Sequence, residues 1–254
     1  MDPIISFRGV KKAFGPKVVY EDATLDIYPG ETLTIIGGSG TGKSVLLKML
    51  IGLLRADAGS IVAFGQDVTK LREEQFLPVR KRVAMLFQSG ALFDSLTVAQ
   101  NIKYPLREHK WGTEAQMDQR VEEVLEMVGM PNAQSLKPAQ LSGGMRKRLG
   151  LARAIAMAPE VILYDEPTTG LDPINIRRIN GMILSLQERL NITSIVVTHD
   201  MDTVFTVSNR VAMLYERRIA FAGTTEEIRQ SPHSYIQEFI AGGKGALEPD
   251  KPEL

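Results

Sequence analysis

Cysteine is absent from the 254 residues. That excludes disulfides and thiolate metal sites and is compatible with a reducing cytoplasm. Net charge is absent too: 30 Lys and Arg balance 30 Asp and Glu, with a pI near 6.9. A general basic surface for nucleic acid is therefore not supported, and no nucleic-acid partner is expected. No apolar run approaches the roughly 20 residues that a membrane-spanning helix needs. The N-terminal stretch Met1 to Ser6 lacks the basic-then-apolar order of a secretion signal. If the protein works at a membrane, a partner must bring it there. There is no internal repeat and no sustained heptad. What is present is an ordinary globular composition, 44% hydrophobic and 24% charged. It fits one large domain, or one domain with an inserted subdomain.

The chain is organised around Gly37-Gly38-Ser39-Gly40-Thr41-Gly42-Lys43-Ser44. An apolar strand pattern, Thr32 to Ile36, precedes it, and a helical run, Val45 to Leu54, follows. This is the G-x-x-x-x-G-K-[ST] phosphate loop in its proper context of strand, turn and helix. The glycines let backbone N–H groups turn toward phosphate, and the helix points its positive end at the same anion. Lys43 adds a full charge near the terminal phosphates, and the Ser44 hydroxyl is suited to Mg2+.

Upstream, Ile4 to Val10, Val18 to Tyr20 and Leu25 to Ile27 read as short strands between turns. Phe14, just before Gly15-Pro16, is either a stacking platform for a nucleobase or a core aromatic. Downstream, Ala58 to Ser60 reads as a turn and Ser60 to Phe64 as a strand. Val83 to Phe87 reads as a buried strand closed by Gln88. That glutamine either faces the ligand crevice at the end of an open α/β sheet or simply meets water. Residues 95 to 139 hold no convincing long strand and read as a helical insertion. Within it, Thr113 to Gln116 forms a capping box before a helix that ends at Gly129.

Leu141-Ser142-Gly143-Gly144-Met145 opens another glycine-led helix, either as an anion site or as a plain N-cap by Ser142. Val161 to Glu166 is an apolar strand ending in two acids. With a phosphate loop upstream, Asp165 is expected to hold Mg2+ through a water and Glu166 to polarise an attacking water. Asp172 and Pro173 start a helix as N-cap and first residue. Thr193 to Val197 is a strand followed by His199, placed where a parallel sheet puts its site. Val211 to Tyr215 and Arg218 to Ala222 complete the strands. A capping box at Thr224 to Glu227 and a helix at Pro232 to Ile240 follow. The stretch 244–254 reads as a disordered tail.

Taken in order, these segments resemble the ATP-binding cassette (ABC) ATPases over about residues 4 to 240. Phe14 matches the adenine-stacking aromatic, Gly37 to Ser44 the phosphate loop and Gln88 the Q-loop. Leu141 to Gly144 matches the signature, Val161 to Glu166 the Walker B strand with its glutamate, Thr169 to Asp172 the D-loop, and His199 the switch histidine.

The resemblance implies an α/β fold: a P-loop NTPase (RecA-like) core with an N-terminal antiparallel β subdomain and an inserted helical subdomain. A single ATPase domain would occupy 1–243, with the insertion at about 90–155. It implies ATP and Mg2+ as ligands, with Glu166, His199 and Lys43 catalytic. Phe14, Gly37 to Ser44, Gln88, Ser142, Gly143 and Gly144 would bind nucleotide, and Ser44, Gln88 and Asp165 the metal. It also implies a homodimer in which each signature reads the γ-phosphate held by the other copy.

Met145 stands where glutamine is commonest, and Thr169-Gly170 where Ser-Ala is common. The strings Leu141 to Arg148 and Phe87 to Val98 resemble the lipid-trafficking branch associated with Mla and Mce systems. That branch implies membrane permease subunits, a periplasmic Mce-type lipid-binding protein and a small STAS-domain subunit. The chain would sit at the cytoplasmic face of the inner membrane and power phospholipid transport between the membranes. Phe93, Leu96 and Tyr104 are the expected docking anchors for the permease, or else the insertion's own small core. The alternatives are an ABC transporter for another solute and a soluble ABC ATPase.

Overall fold

Five neighbouring strands carry the architecture, and all five run parallel. The computed structural model describes residues 1–88 and 90–242. Ser89 of the Q-loop string, Gly243 and the expected tail at 244–254 lie outside the described residues.

In chain order the elements are β1 (Ile5–Phe14), β2 (Lys17–Ile27), β3 (Thr32–Ile36), α1 (Lys43–Leu50), β4 (Ala58–Ala63) and β5 (Gln66–Asp67). Next come α2 (Leu77–Arg82), β6 (Val83–Leu86), α3 (Val98–Glu108), α4 (Glu114–Met127), α5 (Gly143–Ile155) and β7 (Val161–Asp165). The chain continues with α6 (Pro173–Leu190), β8 (Thr193–Val197), α7 (Met201–Val207), β9 (Arg210–Tyr215), β10 (Arg218–Thr224), α8 (Thr225–Arg229) and α9 (Ser234–Ile240).

The strands form one sheet in the order β5-β4-β1-β2-β10-β9-β3-β8-β7-β6. The run from β9 to β6 is parallel, with Leu33 opposite Ile195 and Leu163 opposite Ile195 on the other side. The run from β5 to β2 is antiparallel. This is the P-loop NTPase fold with an antiparallel β layer at one end.

The parallel strands are apolar on both faces, as strands sandwiched between layers must be. Their side chains alternate between two cores. Leu163, Ile195 and Val197 face the core shared with Leu46, Leu47 and Leu50 of α1. Ile162, Tyr164 and Val196 face the core shared with Ile179, Ile183 and Leu186 of α6 and with the helices α3 to α5. Each such side chain contributes about 1.5–3 kcal/mol of burial. A third cluster joins β9 to α7 and α9 through Met213, Val204 and Ile236.

The residue patterns explain most element ends. Asp172 caps α6, accepting from Ile174 N and Asn175 N at 3.0 Å each. Thr113 and Thr224 form the expected capping boxes. The helix after the phosphate loop stops at Leu50, earlier than the apolar run suggests. Gly52 at φ +74° takes the left-handed position, while Leu53 N bonds Lys48 O at 2.9 Å and Gly52 N bonds Met49 O at 3.2 Å. That is a Schellman stop, which the leucines beyond it cannot override.

Two further expectations change. Gly59 belongs to β4 and not to a turn, although its φ of +82° is turn-like. The pairing of β1 with β4 shifts register between Arg8 and Lys11, and a Cβ on Gly59 would meet Gly9 O at 2.4 Å. A bulge with a tight backbone approach is the reason for glycine there. The two short strands expected between Val18 and Ile27 are one strand, because pairing with β1 runs through the polar middle.

Candidate nucleotide site

Four segments converge at the carboxyl edge of the parallel strands: the phosphate loop after β3, Gln88 after β6, Glu166 after β7 and His199 after β8. They line a cavity of about 430 Å³ together with Phe14 and Lys17. Its position is the one where open α/β sheets bind ligands, and its volume lies in the range of small-molecule sites.

The loop itself is built on positive φ angles at Gly37 (+152°), Gly40 (+73°) and Gly42 (+107°). Lys43, 8% exposed, donates from Nζ to Gly37 O at 2.7 Å and Gly38 O at 3.0 Å. Thr41 Oγ1 donates to Gly38 O at 2.9 Å, and Tyr20 OH to Gly42 O at 2.6 Å. The loop is thus braced from inside before any ligand arrives. No side chain caps the start of α1 at Gly42, which leaves the positive end of that helix facing the cavity. Burial pulls the Lys43 ammonium below its ordinary range, and the carboxylates of Glu166 and Asp165 oppose that shift.

Ser44 Oγ donates to Asp165 Oδ1 at 2.5 Å. A hydroxyl and a carboxylate in contact are hard oxygen donors that suit Mg2+ completed by phosphates and water. Among the described residues no group of three His, Cys, Asp or Glu forms a metal cage.

Glu166 takes a left-handed backbone, φ +49°, immediately after β7. Its N–H bonds Val197 O at 2.9 Å. Its carboxylate accepts from Thr169 Oγ1 at 3.1 Å, and His199 Nδ1 lies 3.0 Å from Oε2. Strain at a non-glycine residue is the kind of feature that accumulates at functional sites. Phe14 is 43% exposed at the end of β1, with Lys12 Nζ 5.1 Å from its ring centre, so it is not a core aromatic.

The structure does not bring the signature to this cavity. Ser142 Oγ accepts from Met145 N at 3.2 Å and caps α5. Gly143 is open to solvent, and Gly144 packs against Asn175, whose Oδ1 would lie 2.6 Å from an added Cβ. Ser142, Gly143 and Gly144 are absent from the cavity lining.

Sequence reasoning passed over three residues. Tyr20 reaches the loop from a distant strand. Lys147 lies in the basic run Arg146 to Arg148 but is buried against Gln88 and Glu166. Asn101 is fully buried and holds the segment 93–97 through Phe93 N, Phe93 O, Leu96 O and Thr97 O. A polar residue inside an otherwise apolar helical stripe was the available signal for Asn101. No local signal marks the other two. Of the expected docking anchors, Phe93 and Tyr104 are exposed with ring centres 4.5 Å apart, whereas Leu96 is half-buried.

Comparison with known proteins places this geometry. The family model described as ABC transporter matches residues 20–169. The chain is 41% identical over 239 residues to the intermembrane phospholipid transport system ATP-binding protein MlaF of Haemophilus influenzae, covering 94% of this chain and 90% of that one. It is 38% identical over 242 residues to the probable ribonucleotide transport ATP-binding protein mkl of Mycobacterium leprae, covering 95% of this chain and 70% of that one. Among solved structures, the dimeric post-hydrolysis state of the ATP-binding cassette MJ0796 bound to ADP and Pi superposes with a TM-score of 0.80. It is 28% identical, and the match covers 87% of this chain and 98% of that one.

Proposed function

The chain belongs to the ABC transporter ATPases, binds ATP and hydrolyses it, and from that premise we propose that it powers phospholipid transport between two membranes. The observation that carries the cargo is the 41% identity to a phospholipid-transport ATPase across nearly the whole of both chains. In this reading residues 1–243 are one ATPase unit, and the insertion at about 90–155 meets the membrane subunits.

The chemistry follows from the chain's own groups. Lys43 and the open start of α1 bind the terminal phosphates, and Phe14 offers a flat face to the base. Ser44, Gln88 and Asp165 would hold Mg2+, which when bound would neutralise charge on the phosphates. Glu166 accepts the proton of the attacking water as the new P–O bond forms and the bond to ADP breaks. His199 orients Glu166 through the contact at 3.0 Å and, in this reading, steadies the γ-phosphate. Ser142, Gly143 and Gly144 serve the nucleotide held by a second copy. Their separation from the chain's own cavity supports that assignment, as does the dimeric form of MJ0796.

No helix of the described residues is long and apolar enough to cross a membrane, so membrane work needs partners. Those proposed are permease subunits at the cytoplasmic face of an inner membrane, a periplasmic Mce-type lipid-binding protein and a small STAS-domain subunit. Exposed Phe93 and Tyr104 border an apolar groove of about 480 Å³ with Leu53, Met85 and Phe87, which suits a helix of the permease. The 38% identity to mkl favours a second reading, an ABC transporter for another solute.

The deciding experiment is a pull-down of tagged Glu166→Gln from detergent-extracted membranes in ATP. A permease carrying bound phospholipid together with an Mce-type protein is the expected result. A permease with a different binding protein would retain the ATPase and discard the lipid. No membrane protein, in a preparation that still dimerises with ATP, would favour a soluble ABC ATPase.

A further inference from the structure

Lys147 lies on the second turn of α5 and is 8% exposed. Among the described residues no carboxylate lies within ion-pair contact of its ammonium, although the charges of Glu166 and Asp165 act on it from farther off and oppose the downward pull of burial. Nζ donates instead to two backbone carbonyls, that of Gln88 and that of Glu166, the second at 3.3 Å. Burying an ammonium group is costly, and an apolar residue of similar length would fill the space more cheaply. The two carbonyls belong to two different segments of the nucleotide site.

The same face of α5 continues the grip. Arg153 donates to Gly90 O at 3.0 Å and Ala91 O at 2.7 Å. Between them Gly150 passes so close that an added Cβ would lie 2.8 Å from Leu86 Cδ1 and 3.4 Å from Gly90 Cα. Residues 147, 150 and 153 follow the three-residue spacing of one helical face. The first turn of this helix carries Gly143 and Gly144, capped by Ser142.

We propose that Lys147 is a positioning residue whose ammonium ties the backbones of Gln88 and Glu166 to the helix bearing Ser142, Gly143 and Gly144. The segments that serve the chain's own cavity and the segment offered to a second copy are then linked through one side chain. The proposal rests on the two-copy reading above. A merely space-filling Lys147 would affect folding alone. A coupling Lys147 affects turnover and ATP-driven association while sparing nucleotide binding by the single chain.

The test compares Lys147→Met and Lys147→Arg, each alone and combined with Glu166→Gln. Fluorescent-ATP titration, steady-state phosphate release and sedimentation with ATP and Mg2+ are the readouts. For Lys147→Met, nucleotide affinity and KM stay within about threefold, while kcat falls about tenfold or more. With Glu166→Gln added, dimerisation is about tenfold weaker than for Glu166→Gln alone. Lys147→Arg, which keeps the donor, recovers both to within about threefold.

Turnover and dimerisation unchanged in a folded Lys147→Met would overturn the proposal, as would equal losses of affinity and kcat in both variants. Where Lys147→Met unfolds, Lys147→Arg decides alone: recovery supports the role, and a folded but inactive arginine variant removes it. Failure of Glu166→Gln itself to dimerise would sink the two-copy reading, and the split between kcat and KM would then judge Lys147.

Discussion

The ring of His199 and the carboxylate of Glu166 face each other at 3.0 Å, and the hydroxyl of Thr169 closes on the same carboxylate oxygen at 3.1 Å. An ionised carboxylate only accepts, so Nδ1 of His199 carries the proton of that contact. The glutamate is therefore oriented from two sides on a strained backbone. Glu166→Gln keeps the shape and removes the proposed base. ATP binding is expected to stay within about threefold of the parent while phosphate release slows at least ~100-fold. Turnover within tenfold of the parent would take Glu166 out of that role.

The phosphate loop allows a sharper structural test, because its glycines differ in what surrounds them. A Cβ on Gly37 would sit 2.5 Å from the backbone oxygen of Leu214, at φ +152°. Gly40 has a positive φ of +73° but nothing within 4 Å. Gly37→Ala is expected to lose about 2–3 kcal/mol of stability and most of its ATP affinity, and Gly40→Ala about 1 kcal/mol. Urea unfolding with nucleotide titration measures both, and the reverse order would contradict the loop geometry.

Asn101 connects buried structure to an exposed surface. Its amide makes four hydrogen bonds to the segment 93–97, which presents Phe93 beside Tyr104. Asn101→Ala takes the side-chain partner from Phe93 N and Leu96 O, while Phe93 O keeps Leu96 N and Thr97 O keeps the backbone N–H of residue 101, and it is expected to lose about 2 kcal/mol. Hydrogen exchange should rise at 93–97, and membrane recruitment should fall, with ATP binding by the chain unchanged. Unaltered exchange in that segment would refute the role.

Acid stability has an identifiable contributor. Hydrogen bonds from Arg107 and Lys103 push the Glu114 carboxyl down from 4.5 to about 2. A depressed carboxylate contributes stability that is fully present above pH 4.5 and is lost as pH falls toward about 2. Glu114→Gln should therefore show a flatter decline of melting temperature across that window at low salt. The difference should shrink at high salt, because the pair is exposed. Parallel declines in the two proteins would exclude this link between α3 and α4.

Some elements were legible because their signals are local and strong. The bounds of β3 and β8 match the apolar runs Thr32–Ile36 and Thr193–Val197, where every residue is buried. The start of α6 follows from Asp172 and Pro173, whose capping chemistry needs no distant partner. Others were hidden. The helix Met201–Val207 after His199 is too short for a periodic pattern to stand out. The basic run Arg80 to Arg82 ends a helix whose only buried residue is Val79. Gly59 carried a turn signal that the bulge in β1 converts into strand.

The candidate site divides the same way. Motif spacing alone determined that this chain has a phosphate loop, an acid pair after an apolar strand, and a histidine at the next strand end. Each depends on residues within a few positions of one another, and backbone geometry acts over that range. Tertiary structure decided which of them meet. Parallel pairing of β7 between β6 and β8 brings Gln88, Glu166 and His199 to one edge. The packing of α5 buries Lys147 against carbonyls 59 and 19 residues away, and the path of that helix leaves Ser142 outside its own chain's cavity. Contacts between segments far apart in sequence are set by how whole layers pack, and no single stretch of residues carries that information.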